Sequence, residues 1–186
     1  MDYNNYNRGY TEPAMTSADY MTRTYRWMAC GLLLTFAAAF VTATTPLFYV
    51  VNSLYLLFTI AELALVFVLS AKVQNMSVGA ARGVFFGYAL LNGMVLSYYF
   101  VAFSVGTLFG MGFGATVLYS GIGLVVFMLL TAYDTQKLSQ MYSYYAYDSE
   151  LAEKASIYGA LTLYLDFINI FLYVVRLLGM NSRRRN

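Results

Sequence analysis

Two stretches of this chain carry no charged residue at all, one from Trp27 to Ala61 and one from Gly83 to Tyr133. A soluble domain is roughly a quarter charged, whereas this chain of 186 residues is 11% charged and 60% hydrophobic. Crossing about 30 Å of hydrocarbon takes ~20 helical residues, and each stretch exceeds that. Inside lipid every backbone N–H and C=O needs an internal partner, so the chain must fold as helices or as a closed barrel. Apolar runs this long point to an all-α polytopic membrane bundle.

Breaks in the runs divide them into spans. Thr44-Thr45-Pro46 interrupts the first stretch, because Pro after polar residues marks a boundary. The second stretch is too long for one span, and the glycines from Gly106 to Gly114 are the natural turn within it. A last apolar run ends at Gly179. Five spans follow, near 27–43, 47–70, 83–105, 113–136 and 156–178, the last of them polar-seamed. They lie between a polar, mobile tail at 1–26 and a basic tail at 180–186. The first apolar run begins only at Trp27 and passes through one short turn into the next, which reads as an uncleaved span and not as a signal peptide.

Basic residues orient the bundle. Arg23 and Arg26 flank the first span, Lys72 and Arg82 follow the second, and Lys137 and Lys154 follow the fourth, while the intervening turns have none. By the positive-inside rule the N-terminus and these loops are cytoplasmic. A fifth crossing then places Arg183, Arg184 and Arg185 outside, against the rule, unless the last helix is re-entrant.

Composition also excludes chemistry. There is no histidine, which removes His-based triads, general bases and metal sites. Cys30 is alone, which removes thiolate clusters. A net charge of +2 gives no nucleic-acid footprint. No cofactor is expected and an enzyme is not: carboxylates, hydroxyls and backbone suit ion or proton handling better than hydrolysis. An intramembrane aspartyl protease lacks its Gly-x-Gly-Asp signature here.

The few charges within spans are therefore the informative ones. Glu62 and Asp166 lie mid-span and Asp134 ends the fourth span. Ionisable groups in a membrane are costly unless they face a bundle interior, a partner or water. Thr162, Asp166, Asn169, Tyr173 and Arg176 follow steps of four, three, four and three, a polar seam on one face of the last helix. Tyr55, Thr59 and Glu62 make a shorter seam. Gly79, Gly83 and Gly87, and Gly110 with Gly114, have the spacing that lets helices approach closely. Tyr142, Tyr144, Tyr145 and Tyr147 read as an interfacial aromatic belt or a loop.

Particular motifs then carry a family resemblance. Ala132-Tyr133-Asp134-Thr135-Gln136-Lys137 closes one span. The last contains Gly159-Ala160-Leu161-Thr162-Leu163-Tyr164-Leu165-Asp166-Phe167-Ile168-Asn169 and Arg176-Leu177-Leu178-Gly179. With Ala61-Glu62-Leu63, Leu91-Asn92-Gly93 and Trp27-Met28, these closely resemble the Bax inhibitor-1 family, its bacterial members above all. The resemblance implies seven helices around a central last one, a pH-sensitive calcium leak, and residence in a bacterial inner membrane.

It also implies that Asp134 and Asp166 are the proton-sensing pair. Glu62 contributes as well, as does Lys72, standing here where an Arg is usual. Two carboxylates meeting in low dielectric cannot both ionise easily, so they share a proton and titrate as a unit. For them to meet, the fourth helix must continue past Tyr133 toward Leu138. Calcium, as the transported ion, would find only a weak, transient site in Asp134, Asp166, Glu62, Asn169 and water, since it prefers six to eight oxygens. The family's fourth and fifth helices are missing between Phe103 and Thr116, which opens the wall around the central helix. The expected partners are the bilayer, protons and calcium ions. An alternative is a non-conducting protein that binds a membrane protease or other complex, or a second copy of itself.

Overall fold

A computed structural model describes residue 13, residues 15–104 and residues 113–183, with side chains placed for 15–101 and 118–178. The elements are helices α1 (Ser17–Thr44), α2 (Leu47–Ser53), α3 (Tyr55–Lys72), α4 (Val78–Ser104), α5 (Phe113–Tyr145) and α6 (Ser149–Arg183), with a 3-10 turn at Val73–Asn75. Five of the helices are long and apolar enough to cross a membrane. There is no strand among the described residues.

Four helix starts have a local cause. Thr16 caps α1: its hydroxyl accepts the Asp19 N–H at 3.1 Å while Asp19 reaches back to the Thr16 N–H at 3.4 Å, a capping box. This cap lies inside the polar lead that the sequence assigns to a tail, so residues 17–26 are helix and α1 begins well before Trp27. Ser77 caps α4 through the Ala80 N–H at 3.2 Å. Asp148 caps α6 through Glu150 N–H at 2.9 Å and Leu151 N–H at 3.0 Å. Pro46 starts α2, where its fixed φ suits a first turn. The expected second span is in fact two helices, because the backbone leaves the helical region at Leu54. The 18 residues of α3 still extend ~27 Å.

The five long helices alternate in direction, and one end of the bundle gathers the starts of α1, α4 and α6 with the ends of α3 and α5. Arg23, Arg82 and Glu153 meet there, as do Gln74, Tyr145 and Lys154. The basic residues picked out by sequence thus share one end. Helix α6 runs unbroken for 35 residues, ~52 Å, to Arg183 at the opposite end. The re-entrant alternative for α6 is therefore not what the chain adopts. The turn assigned to Gly106–Gly114 falls largely outside the described residues.

The core lies between α1, α3, α4 and α6, around Leu69, Phe85, Ala89, Ile157, Leu161 and Tyr164. Helix α6 packs against α1, α4 and α5, whereas α3 lies mainly on α4. The close approaches are made by other glycines than the stripe suggests. A Cβ on Gly79 or Gly83 would meet nothing, and one on Gly87 would make only ordinary contact with Leu65. A Cβ on Gly93 would strike the Thr35 carbonyl and Ala38, and one on Gly31 would strike Phe85. Gly31 and Gly93 let α1 and α4 touch; Gly79 and Gly83 do not. Gly110 is outside the described residues and the surroundings of Gly114 are not described.

Candidate functional site

Helix α5 continues through Tyr133 to Tyr145, which carries Asp134 below the end of the helix and alongside α6. There Asp166, buried, faces Asp134 and Thr131. Its Oδ2 is buried with no hydrogen-bond donor. Thr131 donates its hydroxyl to the Phe127 carbonyl at 2.8 Å and also interacts with the Asp166 carboxyl. A buried carboxylate oxygen without a donor is costly.

The rest of the polar seam divides. Thr162 donates to its own helix at Tyr158 O, 3.2 Å, and Asn169 to Leu165 O, 2.8 Å. Tyr173 instead packs on α5, with ring centroids 5.8 Å from both Tyr119 and Phe127. The Arg176 guanidinium lies 5.9 Å from the Tyr119 and Tyr173 rings. Asp166, Tyr173 and Arg176 therefore line the α5–α6 interface, and Asn169 and Thr162 are satisfied locally.

Glu62 does not join the aspartates. It is buried in α3 and interacts with Asn92 of α4, while its Oε1 has no hydrogen-bond partner. No group of three or more His, Cys, Asp or Glu that could hold a metal ion occurs among the described residues. The three carboxylates expected from sequence to share one site therefore do not come together: Asp134 and Asp166 face each other and Glu62 stands apart. Lys72 ends α3, ten residues or ~15 Å beyond Glu62, and is exposed. It stands apart from Glu62, because the two residues sit at different depths on one helix.

Two polar clusters escaped the sequence reading as sites. Around Asn92, the Tyr164 hydroxyl sits 3.1 Å from Asn92 Oδ1 and 2.6 Å from Thr35 Oγ1, and Asn92 Nδ2 lies 3.2 Å from the Tyr88 hydroxyl. This buried node ties α1, α4 and α6 together and reaches Glu62 on α3. At the basic end, Glu153 accepts from Arg23 Nη1 at 2.8 Å, Arg82 Nη2 at 2.8 Å and Trp27 Nε1 at 3.2 Å. The Arg82 guanidinium also lies 4.9 Å from the Trp27 ring. Beside it Lys154, buried, pairs with Glu150 at 2.8 Å and donates to Gln74 O at 3.3 Å. A Thr and an Asn within spans were the available signal for the node. Glu153, three residues before the expected start of the last span, read as a loop charge.

The tyrosine stripe is partly structural. Tyr142 packs on Tyr20 at 5.9 Å and donates to Met15 O, and the Tyr145 hydroxyl accepts from Gln74, whereas Tyr144 and Tyr147 are exposed.

Apolar helices of spanning length, with an acid pair between two of them in which Asp166 is buried and Asp134 partly so, define a polytopic integral membrane protein. The sequence profile described as "Inhibitor of apoptosis-promoting Bax1" matches residues 17–111 and 98–183. The chain belongs to the Bax inhibitor-1 family. It is 36% identical to the inner membrane protein YbhL of Escherichia coli strain K12 over 221 residues, which cover 90% of this chain and 94% of that one. An uncharacterised protein of Deinococcus radiodurans is 39% identical, with 85% and 89% covered. One of Rickettsia prowazekii is 34% identical, with 86% and 89% covered. No solved structure matches the chain. The alignment to YbhL is longer than this chain, so it opens gaps within it, and the two profile segments meet at 98–111, where the sequence places the missing helix pair.

Proposed function

We propose that this protein is a proton-controlled calcium leak of the bacterial inner membrane, with Asp134 and Asp166 as its sensor. The observation that supports this reading is the meeting of the two aspartates across the α5–α6 interface, with one Asp166 oxygen buried and unpartnered. Residence in the inner membrane follows the name of the relative YbhL, and the positive-inside rule makes the basic end cytoplasmic. A shared proton bridges the two helices. As pH rises and that proton leaves, two like charges repel in low dielectric, the interface loosens, and a calcium ion finds two carboxylates to pass. A site of two carboxylates and water binds calcium weakly, as passage requires.

The test is calcium uptake by liposomes holding the purified protein, followed across pH. Uptake should rise with pH for the natural chain. Asp166→Asn hydrogen-bonds at every pH and should leave uptake low and flat, with the variant eluting as a single species to show that it folds. Identical pH profiles in both would refute the reading.

A second reading is a non-conducting protein that docks a membrane protease or other bundle. It is favoured by a cavity of about 450 Å³ between α1, α4 and α6, lined by apolar side chains such as Leu32, Phe36, Leu96, Phe171 and Leu172. On this reading the purified chain passes no calcium, and Phe36→Glu releases a co-purifying protease that the natural chain retains.

A further inference from the structure

At the basic end of the bundle α3 and α5 have different neighbours. Helix α3 lies mainly on α4 and α5 lies along α6, while the 3-10 turn Val73–Asn75 leads from the end of α3 onto α6. A wedge is left between these elements, a cavity of about 360 Å³ whose lining includes none of Asp134, Asp166 and Glu62. Two hydrogen bonds join its walls: Gln74 Nε2 donates to the Tyr145 hydroxyl at 3.0 Å, and Lys154 Nζ donates to Gln74 O at 3.3 Å. The lining is of two kinds. Gln74, Asn75 and Lys154 bring N–H donors, whereas Val73, Met141 and Leu151 are apolar. Ala71, also in the lining, stands one turn after Phe67, which is 71% exposed, so the apolar side of the pocket runs on to a surface of α3 that meets acyl chains.

Charge selects the ligand. The Lys154 side chain is only 9% exposed, and an ammonium has three donors. Among the described residues it uses two, on Glu150 Oε1 at 2.8 Å and on Gln74 O. Glu150 is 62% exposed, so it can turn to water when another anion arrives; Lys154 has to stay. The neighbouring acids are committed elsewhere, Glu153 to Arg23 and Arg82, and Asp148 to the first N–H groups of α6. Lys72, between the lining residues Ala71 and Val73, is exposed and makes no ion pair among the described residues. A buried cation with amide donors on one side and an apolar wall on the other matches a phosphate carried on an apolar stem. Basic pockets between spans at a membrane face hold such headgroups. A free phosphate would leave the apolar wall unused.

We propose that this pocket binds the phosphodiester headgroup of an anionic phospholipid, with the phosphate accepting from Lys154 Nζ and the side-chain amides of Gln74 and Asn75 and an acyl chain leaving along Phe67. The bound lipid ties the end of α3 to α5 and α6, which the protein itself joins there by few bonds. The site is separate from the aspartate pair, and its test does not depend on calcium passage.

The experiment takes the full chain, purified in detergent, and adds phosphatidylglycerol, phosphatidylcholine or inorganic phosphate, reading bound lipid by native mass spectrometry and the thermal midpoint alongside. One phosphatidylglycerol should stay on each chain and raise the midpoint, and phosphatidylcholine at the same concentration should do neither. Lys154→Gln should lower phosphatidylglycerol retention by about tenfold or more, the weight of a charge-assisted hydrogen bond. Because that change also alters the link to Gln74, Ser70→Trp gives an independent arm: Ser70 lines the pocket from an exposed position, so the indole fills the space without entering the core and should abolish retention. Arg26→Gln removes an exposed charge outside the pocket and should leave retention unchanged. Retention that survives in Lys154→Gln and Ser70→Trp, or that falls equally in Arg26→Gln, overturns the inference, as does equal retention of phosphatidylcholine. Inorganic phosphate that raises the midpoint as far as phosphatidylglycerol does would reveal a site for soluble phosphate and overturn the lipid assignment.

Discussion

Among the described residues three acidic side chains are buried in this bundle, and their surroundings differ. Glu153 is saturated by two arginines and an indole, so it acts as a joint. Asp166 and Glu62 each leave one buried oxygen without a hydrogen-bond partner. Glu153→Gln should lower stability by about 1–2 kcal/mol, because the arginines it releases are half exposed and can turn to water. Thermal unfolding in detergent would show this as a lower midpoint with unchanged pH dependence of flux. Gly93→Ala should cost about 1–3 kcal/mol, since the added methyl meets the rigid Thr35 backbone, whereas Gly83→Ala should be neutral or mildly stabilising. Asp166 was legible in the sequence because a carboxylate amid apolar residues has few affordable surroundings. Glu153 was not, because a charge near a helix start is ordinarily solvated and only the fold brings Arg23 and Arg82 to it.

At the level of elements, helix number and type follow from charge-free length, and the break at Pro46 follows from its backbone chemistry. Boundaries did not. The Thr16–Asp19 box extends α1 back into a segment whose polarity suggests a tail, because a helix can project from the membrane into water. The glycine stripe on α4 was misread since spacing says only that a close approach is permitted, while the neighbours decide whether one occurs. The periodic seam on α6 was half right, as short polar side chains can return to their own backbone where Asp and Tyr cannot. Tyr173→Ala removes the outer contact between α5 and α6, so it should raise calcium uptake at low pH, where the natural chain is tight, by several-fold. Uptake equal to that of the natural chain would show that this layer does not help to close the interface.

Across the whole molecule, alternating helices and an unbroken α6 place the basic cluster and Arg183 at opposite ends. Five helices of spanning length leave the C-terminal arginines at the end opposite to the basic loops, so the conflict with the positive-inside rule read from the sequence persists in the fold. In a Cys30→Ser background, a membrane-impermeant thiol reagent should reach Ser182→Cys from the face opposite to Tyr144→Cys. Labelling of both from one face would contradict the arrangement. Which residues the fold would bring together was the least legible level, because Asp134, Thr131 and Asp166 meet only through the mutual rotation of two helices. The central claim is that the aspartates hold one proton between them, and infrared difference spectroscopy during a pH titration tests it most directly. The account expects a protonated-carboxyl band that disappears as pH rises and is lost or displaced in Asp134→Asn and Asp166→Asn alike. A band that persists unchanged in either variant would show that the two carboxyls titrate apart, and would contradict it.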